Sequence, residues 1–178
     1  MKSTLKKKLM PVSLTAFAII ADQLSKLFIV KKWPDEYTFI ADVFNNDFLW
    51  IYHVRNKAIA FSLGENLPDG LKPFLFVVLP AVVLGFLIVY YFKSDEFTVL
   101  QRWALAGILG GGLGNLIDRV FRPDGVVDFI SVRFYGFLGF ERWPTFNLAD
   151  SFVVVFGILL LVTVFIPEKN AKTAKETK

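Results

Sequence analysis

The chain has 178 residues, 54% of them hydrophobic, with a net charge of +4, no cysteine and a single histidine, His53. This composition excludes an ordinary soluble domain, a disulfide framework, a thiol nucleophile and any multi-histidine metal site. Much of the positive charge lies in the two tails, which points to anionic lipid and membrane orientation, not to nucleic acid.

Lys2, Lys6, Lys7 and Lys8 precede the first apolar run, Leu9–Val30. A basic start can open a cleavable signal peptide, and Ala16 and Ala18 offer small residues, but hydrophobicity continues to Val30 and favours a retained span. The next segment, 31–70, holds "YTFIADV", the turn residues Asn45-Asn46-Asp47 and "FLWIYHV". Two aromatic and β-branched runs around a turn predict a hairpin, with "AIAFSL" as a third strand. The second span covers 71–92, where Pro73 suits a first turn and Pro80 a kink.

"KSDEFT" is a plain connector to the third span, 99–117. Its glycine pairs Gly107/Gly111 and Gly110/Gly114 have the small-xxx-small spacing that lets helices approach closely. Segment 118–147 has a turn at Pro123-Asp124-Gly125 and an aromatic stretch, Phe134 to Trp143, suited to a membrane interface. The fourth span, 148–166, leads into the lysine-rich tail. Four spans place both termini on one side, and the lysines put that side in the cytoplasm. Residues 1–178 are expected to form one integral membrane domain, an all-α bundle of four transmembrane helices with a small β-sheet outside.

Ionisable groups gather at one end of this bundle, where their cost demands a reason. Asp22 and Lys26 lie four apart on one face of the first span, as a neutralising pair would. Asn115, Asp118 and Arg119 share a face at the end of the third span. Asp128 stands in "GVVDFI", and Asn147 and Asp150 in "FNLADS" at the start of the fourth. An Asn followed three residues later by an acid also fits a helix cap.

Three chemistries are compatible with such a cluster. Two converging aspartates can share a proton, one activating water while the other polarises a carbonyl. Lys26 could instead serve Ser62 or Ser151, or the acids could relay protons in a carrier, although carriers usually place them near mid-membrane.

In this order, "DQLSK" (22–26), "NKAIAFS" (56–62), "GGLGNLIDR" (111–119), "GVVDF" (125–129) and "FNLADS" (146–151) resemble the motifs of the bacterial lipoprotein signal peptidases, or signal peptidases II. The resemblance implies a four-helix bundle with an outer β-sheet cradle in the bacterial inner membrane, termini in the cytoplasm and the active site at the outer face. It implies an aspartic endopeptidase that cuts diacylglyceryl-modified prolipoproteins before the lipidated cysteine, needs no metal or cofactor, and is blocked by globomycin-type peptides. Asp128 and Asp150 would be the catalytic pair. Asn115, Arg119 and Asn147 would line the substrate groove, with Asp22, Lys26, Asn56 and Asp118 supporting it. The segments around Ala58–Phe61 and Phe134–Phe140 would clasp the substrate, and membrane lipids would surround the bundle. Ala58 departs from the family, which usually has glycine there; a required positive φ would strain it.

Overall fold

The computed structural model describes residues 2–57, 68 and 70–165. Helix α1 (Lys2–Leu9) runs into α2 (Val12–Lys32), and the break at Met10-Pro11 lets Pro11 precede the new helix without costing it a bond. Strands β1 (Thr38–Asp42) and β2 (Leu49–Asn56) follow. A π-helical turn, Phe74–Val78, leads into α3 (Leu79–Lys93). The widened turn ends two residues before Pro80, which cannot supply the N–H that regular helix would require there. Helix α4 (Val99–Phe121), strand β3 (Val126–Val132) and helix α5 (Leu148–Phe165) complete the order.

Among the described residues, three helical stretches are long and apolar enough to cross a bilayer: Lys6–Lys32, Phe74–Lys93 and Leu148–Phe165. Their outward faces carry exposed apolar side chains such as Phe17, Leu24, Val82, Phe86, Val154 and Leu161, as a lipid-facing surface does. The expected span 99–117 falls inside α4, which packs against α2, α3 and α5. Because neighbouring helices surround it, α4 tolerates glycine and polar residues that lipid would not, and it is less apolar than the other three.

The glycines of α4 serve two faces. A Cβ on Gly107 would lie 2.2 Å from the Phe156 ring, and one on Gly111 would lie 2.3 Å from the Ala149 carbonyl, both in α5. On the α2 side, a Cβ on Gly110 would lie 2.6 Å from Ala18 Cβ, and one on Gly114 would lie 2.8 Å from an Asp22 carboxylate oxygen. The glycine pairs therefore set the separation of α4 from both neighbours.

The sheet has the antiparallel order β1-β2-β3. The hairpin turn lies where Asn45-Asn46-Asp47 predicts it: Asn45 and Asp47 adopt left-handed backbone, and Asp42 accepts from the Phe44 and Asp47 N–H groups. The described sheet is completed by Val126–Val132 from the second outer segment; "AIAFSL" lies outside the described residues. Ile29, Val127 and Phe129 form a buried cluster joining the sheet to the end of α2, with Leu148 of α5 packed against it. The buried His53 fastens the α2–β1 connector to β2, its Nδ1 donating to the Trp33 carbonyl at 2.9 Å. Arg142 stacks over Trp50 at 3.4 Å and donates to Ser131 and Asp47, pinning the loop after β3 against the hairpin.

Candidate active site

The site is assembled where the sheet meets the helix ends. Strand β3 pairs with β2 so that Asp128 lies opposite Val54. Farther along the chain Phe146 bridges back to Ile130, with Phe146 N–H donating to the Ile130 carbonyl at 3.0 Å. That bridge brings Asn147 and the first turn of α5 beside Asp128.

Asn147 is fully buried and joins the two candidate carboxylates. Its Nδ2 donates to Asp128 Oδ1 at 2.7 Å and to Asn115 Oδ1 at 3.0 Å. Its backbone N–H donates to Asp150 Oδ2 at 3.1 Å, while Asp150 N–H donates to Asn147 Oδ1 at 3.0 Å. This is the reciprocal helix cap that the spacing Asn147-x-x-Asp150 predicts. The other oxygens are held as well: Asn56 Nδ2 donates to Asp128 Oδ2 at 2.9 Å, and Asn115 Nδ2 donates to Asp150 Oδ1 at 2.7 Å.

Behind these residues lies a buried ion cluster. Lys26 Nζ is 2.8 Å from Asp22 Oδ2 and 3.0 Å from Asp118 Oδ2, and it donates to Asn115 Oδ1 at 3.0 Å. Three acceptors surround Lys26 Nζ, so the side chain is committed to this cluster and not to a serine. Ser151, one of the two serines considered as its partner, donates to the Asn147 carbonyl at 2.9 Å, and Ser62 lies outside the described residues. Asp22 also accepts from the Ala149 N–H, and Asp118 from the Val127 N–H, so the cluster fastens α2, α4, β3 and α5 to one another.

Two contributors were not singled out from sequence. Gln23 Nε2 reaches Asp22, the Gly114 carbonyl and Asp118, and Arg122 Nε lies 3.1 Å from Asp118. Arg122 was legible, being four residues after Asp118 on one helix; Gln23 carries no such signal.

Asp128 is 2% exposed and lies on the wall of a cavity of about 1040 Å³, together with Asn56, Phe76, Arg119 and Phe140. Asp150 is half-buried and is not among the residues lining that cavity. Burial, and then the charge of Asp150, push the Asp128 carboxyl up to about 7; the bonds from Asn56 and Asn147 oppose this and do not prevail. Arg119 lies with its guanidinium 5.2 Å from the Phe76 ring centre and within the field of Asp128, Asp150 and Asp118. All nine residues singled out from sequence are thus brought to one end of the bundle. A buried carboxyl with a partner acid, beside a cavity, is an arrangement suited to activating water.

Residues 14–166 match the family model described as Signal peptidase (SPase) II. A lipoprotein signal peptidase of Treponema pallidum is 40% identical over 165 residues, covering 93% of this chain and 88% of that protein. One from Treponema denticola is 45% identical over 170 residues, covering 94% and 95%. A solved structure of a bacterial membrane enzyme superposes with a TM-score of 0.72 at 25% identity, covering 95% of this chain and 92% of that one. The chain is a membrane protein and belongs to the signal peptidase II family of peptidases.

Proposed function

We propose that this protein is an aspartic endopeptidase of the bacterial inner membrane that removes signal peptides from diacylglyceryl-modified prolipoproteins, cutting before the lipidated cysteine. Asp128 and Asp150 form the catalytic pair. The observation that carries this reading is the raised Asp128 carboxyl, bonded through Asn147 to the first turn that holds Asp150.

In this mechanism the pair holds one proton and titrates as a unit. Asp128, the more buried member, carries it and donates to the scissile carbonyl. Asp150, which accepts from Asn115 Nδ2 and the Asn147 N–H, takes a proton from the attacking water. As the tetrahedral intermediate collapses, the peptide nitrogen leaves with a proton returned by the pair. Asn115 and Asn147 keep the two carboxyls in register. Arg119 supplies positive charge beside the developing oxyanion. Asn56 orients Asp128, while Asp22, Lys26 and Asp118 hold the platform. Globomycin-type peptides would occupy the same cavity in place of substrate.

Helix α4 is the fourth span in this reading, sheltered by its neighbours, and both termini lie in the cytoplasm. The sheet then stands at the outer face, where the lipid chains of the substrate remain in the bilayer while its peptide bond reaches Asp128. The deciding experiment uses purified protein and a diacylglyceryl-modified prolipoprotein. Asp128→Asn and Asp150→Asn, each folded, are expected to lose at least about a thousandfold in turnover. Near-native cleavage by either would refute the pair, and proton-linked flux without peptide release would favour a carrier.

A further inference from the structure

The wall of the Asp128 cavity is rich in positive charge. Among its described residues are five cations, Arg55, Lys57, Lys72, Arg119 and Arg122, against two acids, Glu36 and Asp128. Two of the five are committed to the site already described: Arg122 is paired with Asp118, and Arg119 lies over Phe76 in the field of the carboxylates. The other three line the wall from two separate elements. Arg55 and Lys57 lie at the end of β2, and Lys72 stands just before the π-helical turn that opens the second span. Neither Arg55 nor Lys57 has an acidic partner among the described residues, so their charge is not consumed by the fold.

Such a concentration of one sign raises the local potential and draws in the opposite sign. Its surroundings decide between a lipid phosphate and a peptide carboxylate. The wall beside Arg55 and Lys57 combines strand β2 and the loop residues Glu36, Tyr37, Pro144 and Thr145 with Pro73, Phe76 and Val77 at the start of the second span. Asp128 shares the cavity, so a chain being cut there must pass the cations. Resting on the peptidase reading above, we propose that Arg55 and Lys57 form a cationic subsite that selects substrates bearing a carboxylate side chain immediately after the lipidated cysteine. The segment after the cysteine is the part of the substrate outside the bilayer, at the level of the sheet.

Partly exposed ion pairs are individually weak and are screened by salt, so the expected preference is modest. The test uses three diacylglyceryl-modified peptides that differ only at the residue immediately after the cysteine, as Asp, Asn or Lys. At low salt the Asp peptide should show kcat/KM about three- to tenfold above the Asn peptide, chiefly through KM, and the Lys peptide should fall below both. The spread should shrink as salt approaches about 0.5 M. Lys57→Glu, at an exposed position, should compress the Asp-to-Lys ratio, and Arg55→Glu with Lys57→Glu should invert it.

Equal kcat/KM for the three peptides at low salt would overturn the subsite while leaving the peptidase reading intact. So would a ratio unchanged in Lys57→Glu. The assay is run in micelles with phosphatidylglycerol and again with phosphatidylcholine; a rate set by the anionic lipid irrespective of peptide charge would assign the cations to lipid phosphate and overturn the proposal. Failure to cleave any of the three would overturn the peptidase reading and the subsite with it.

Discussion

Asn147 and Asp150 are bonded to one another twice, each backbone N–H donating to the other's side chain, while the Asn147 amide also reaches Asp128 at 2.7 Å. A helix cap and an orienting contact for the candidate catalytic acid are therefore one side chain. The two roles can be separated by substitution.

Asn147→Ser keeps an oxygen that can cap α5 but loses the amide donor. We expect thermal stability within about 1 kcal/mol of the parent and a fall in turnover of at least about a hundredfold. Asn147→Ala should lose both, with a further cost of about 1–2 kcal/mol in stability. Melting temperature and turnover measured on both variants check this; equal turnover for Asn147→Ser and the parent would show that the amide does not orient Asp128.

The raised Asp128 carboxyl has two consequences with defined signs. The folded protein holds this proton up to about pH 7, whereas in the unfolded chain it is lost near the ordinary value of 3.8. Stability from this group is therefore complete below about pH 4, declines as pH rises to about 7, and is level above that. Thermal unfolding from pH 4 to 8 should show the decline, and Asp128→Asn should remove it. Turnover should also fall above about pH 7, roughly tenfold per pH unit, as the pair loses its shared proton. Activity level up to pH 9 would contradict the shared-proton mechanism.

Lys26 lies fully buried between the Asp22 and Asp118 carboxylates. Lys26→Met leaves these acids buried without their common cation and should destabilise the protein by about 3–5 kcal/mol. Asp22→Asn combined with Lys26→Met should cost less than Lys26→Met alone. Unfolding in detergent measures both, and equal costs would show that the cluster is not electrostatically coupled.

Close approach of α4 to α5 is tested at Gly111, where an added methyl meets the Ala149 carbonyl, a backbone atom that cannot turn aside. Gly111→Ala should cost about 1–3 kcal/mol and lower turnover by shifting the start of α5. Gly85→Ala, with nothing within 4 Å of the new carbon, is the control and should be neutral or slightly stabilising. Loss of stability at both positions alike would point to a backbone effect and away from helix separation.

Much of this was legible in the sequence, for reasons that differ by element. Residues 9–30, 71–92 and 148–166 announce themselves as helices because lipid demands long apolar runs. The cap at Asn147 and Asp150 and the hairpin at Asn45-Asn46-Asp47 are local, so spacing alone encodes them. Helix α4 is harder to read because its neighbours, not lipid, surround it. The recruitment of β3 was not legible because β-propensity does not say which segment a sheet will take up; β3 pairs with β2 across some 70 residues of chain. The convergence of Asp128 with Asp150 depends on the bridge between Ile130 and Phe146, a tertiary contact with no local signature. Gln23 was missed for the same reason, since its partners Gly114 and Asp118 are more than 90 residues away.

The two candidate acids belong to parts of the molecule that are built differently. Asp150 arrives with a membrane helix and can be in place once the bundle has inserted. Asp128 arrives on a strand that must first find β2 and then dock on the end of α2. Neither acid alone can share a proton, so under the proposed mechanism a chain whose sheet has not docked would be chemically silent. A peptidase made in the same membrane as immature chains of many kinds thus carries its own safety catch: hydrolysis waits for the last piece of its own tertiary structure.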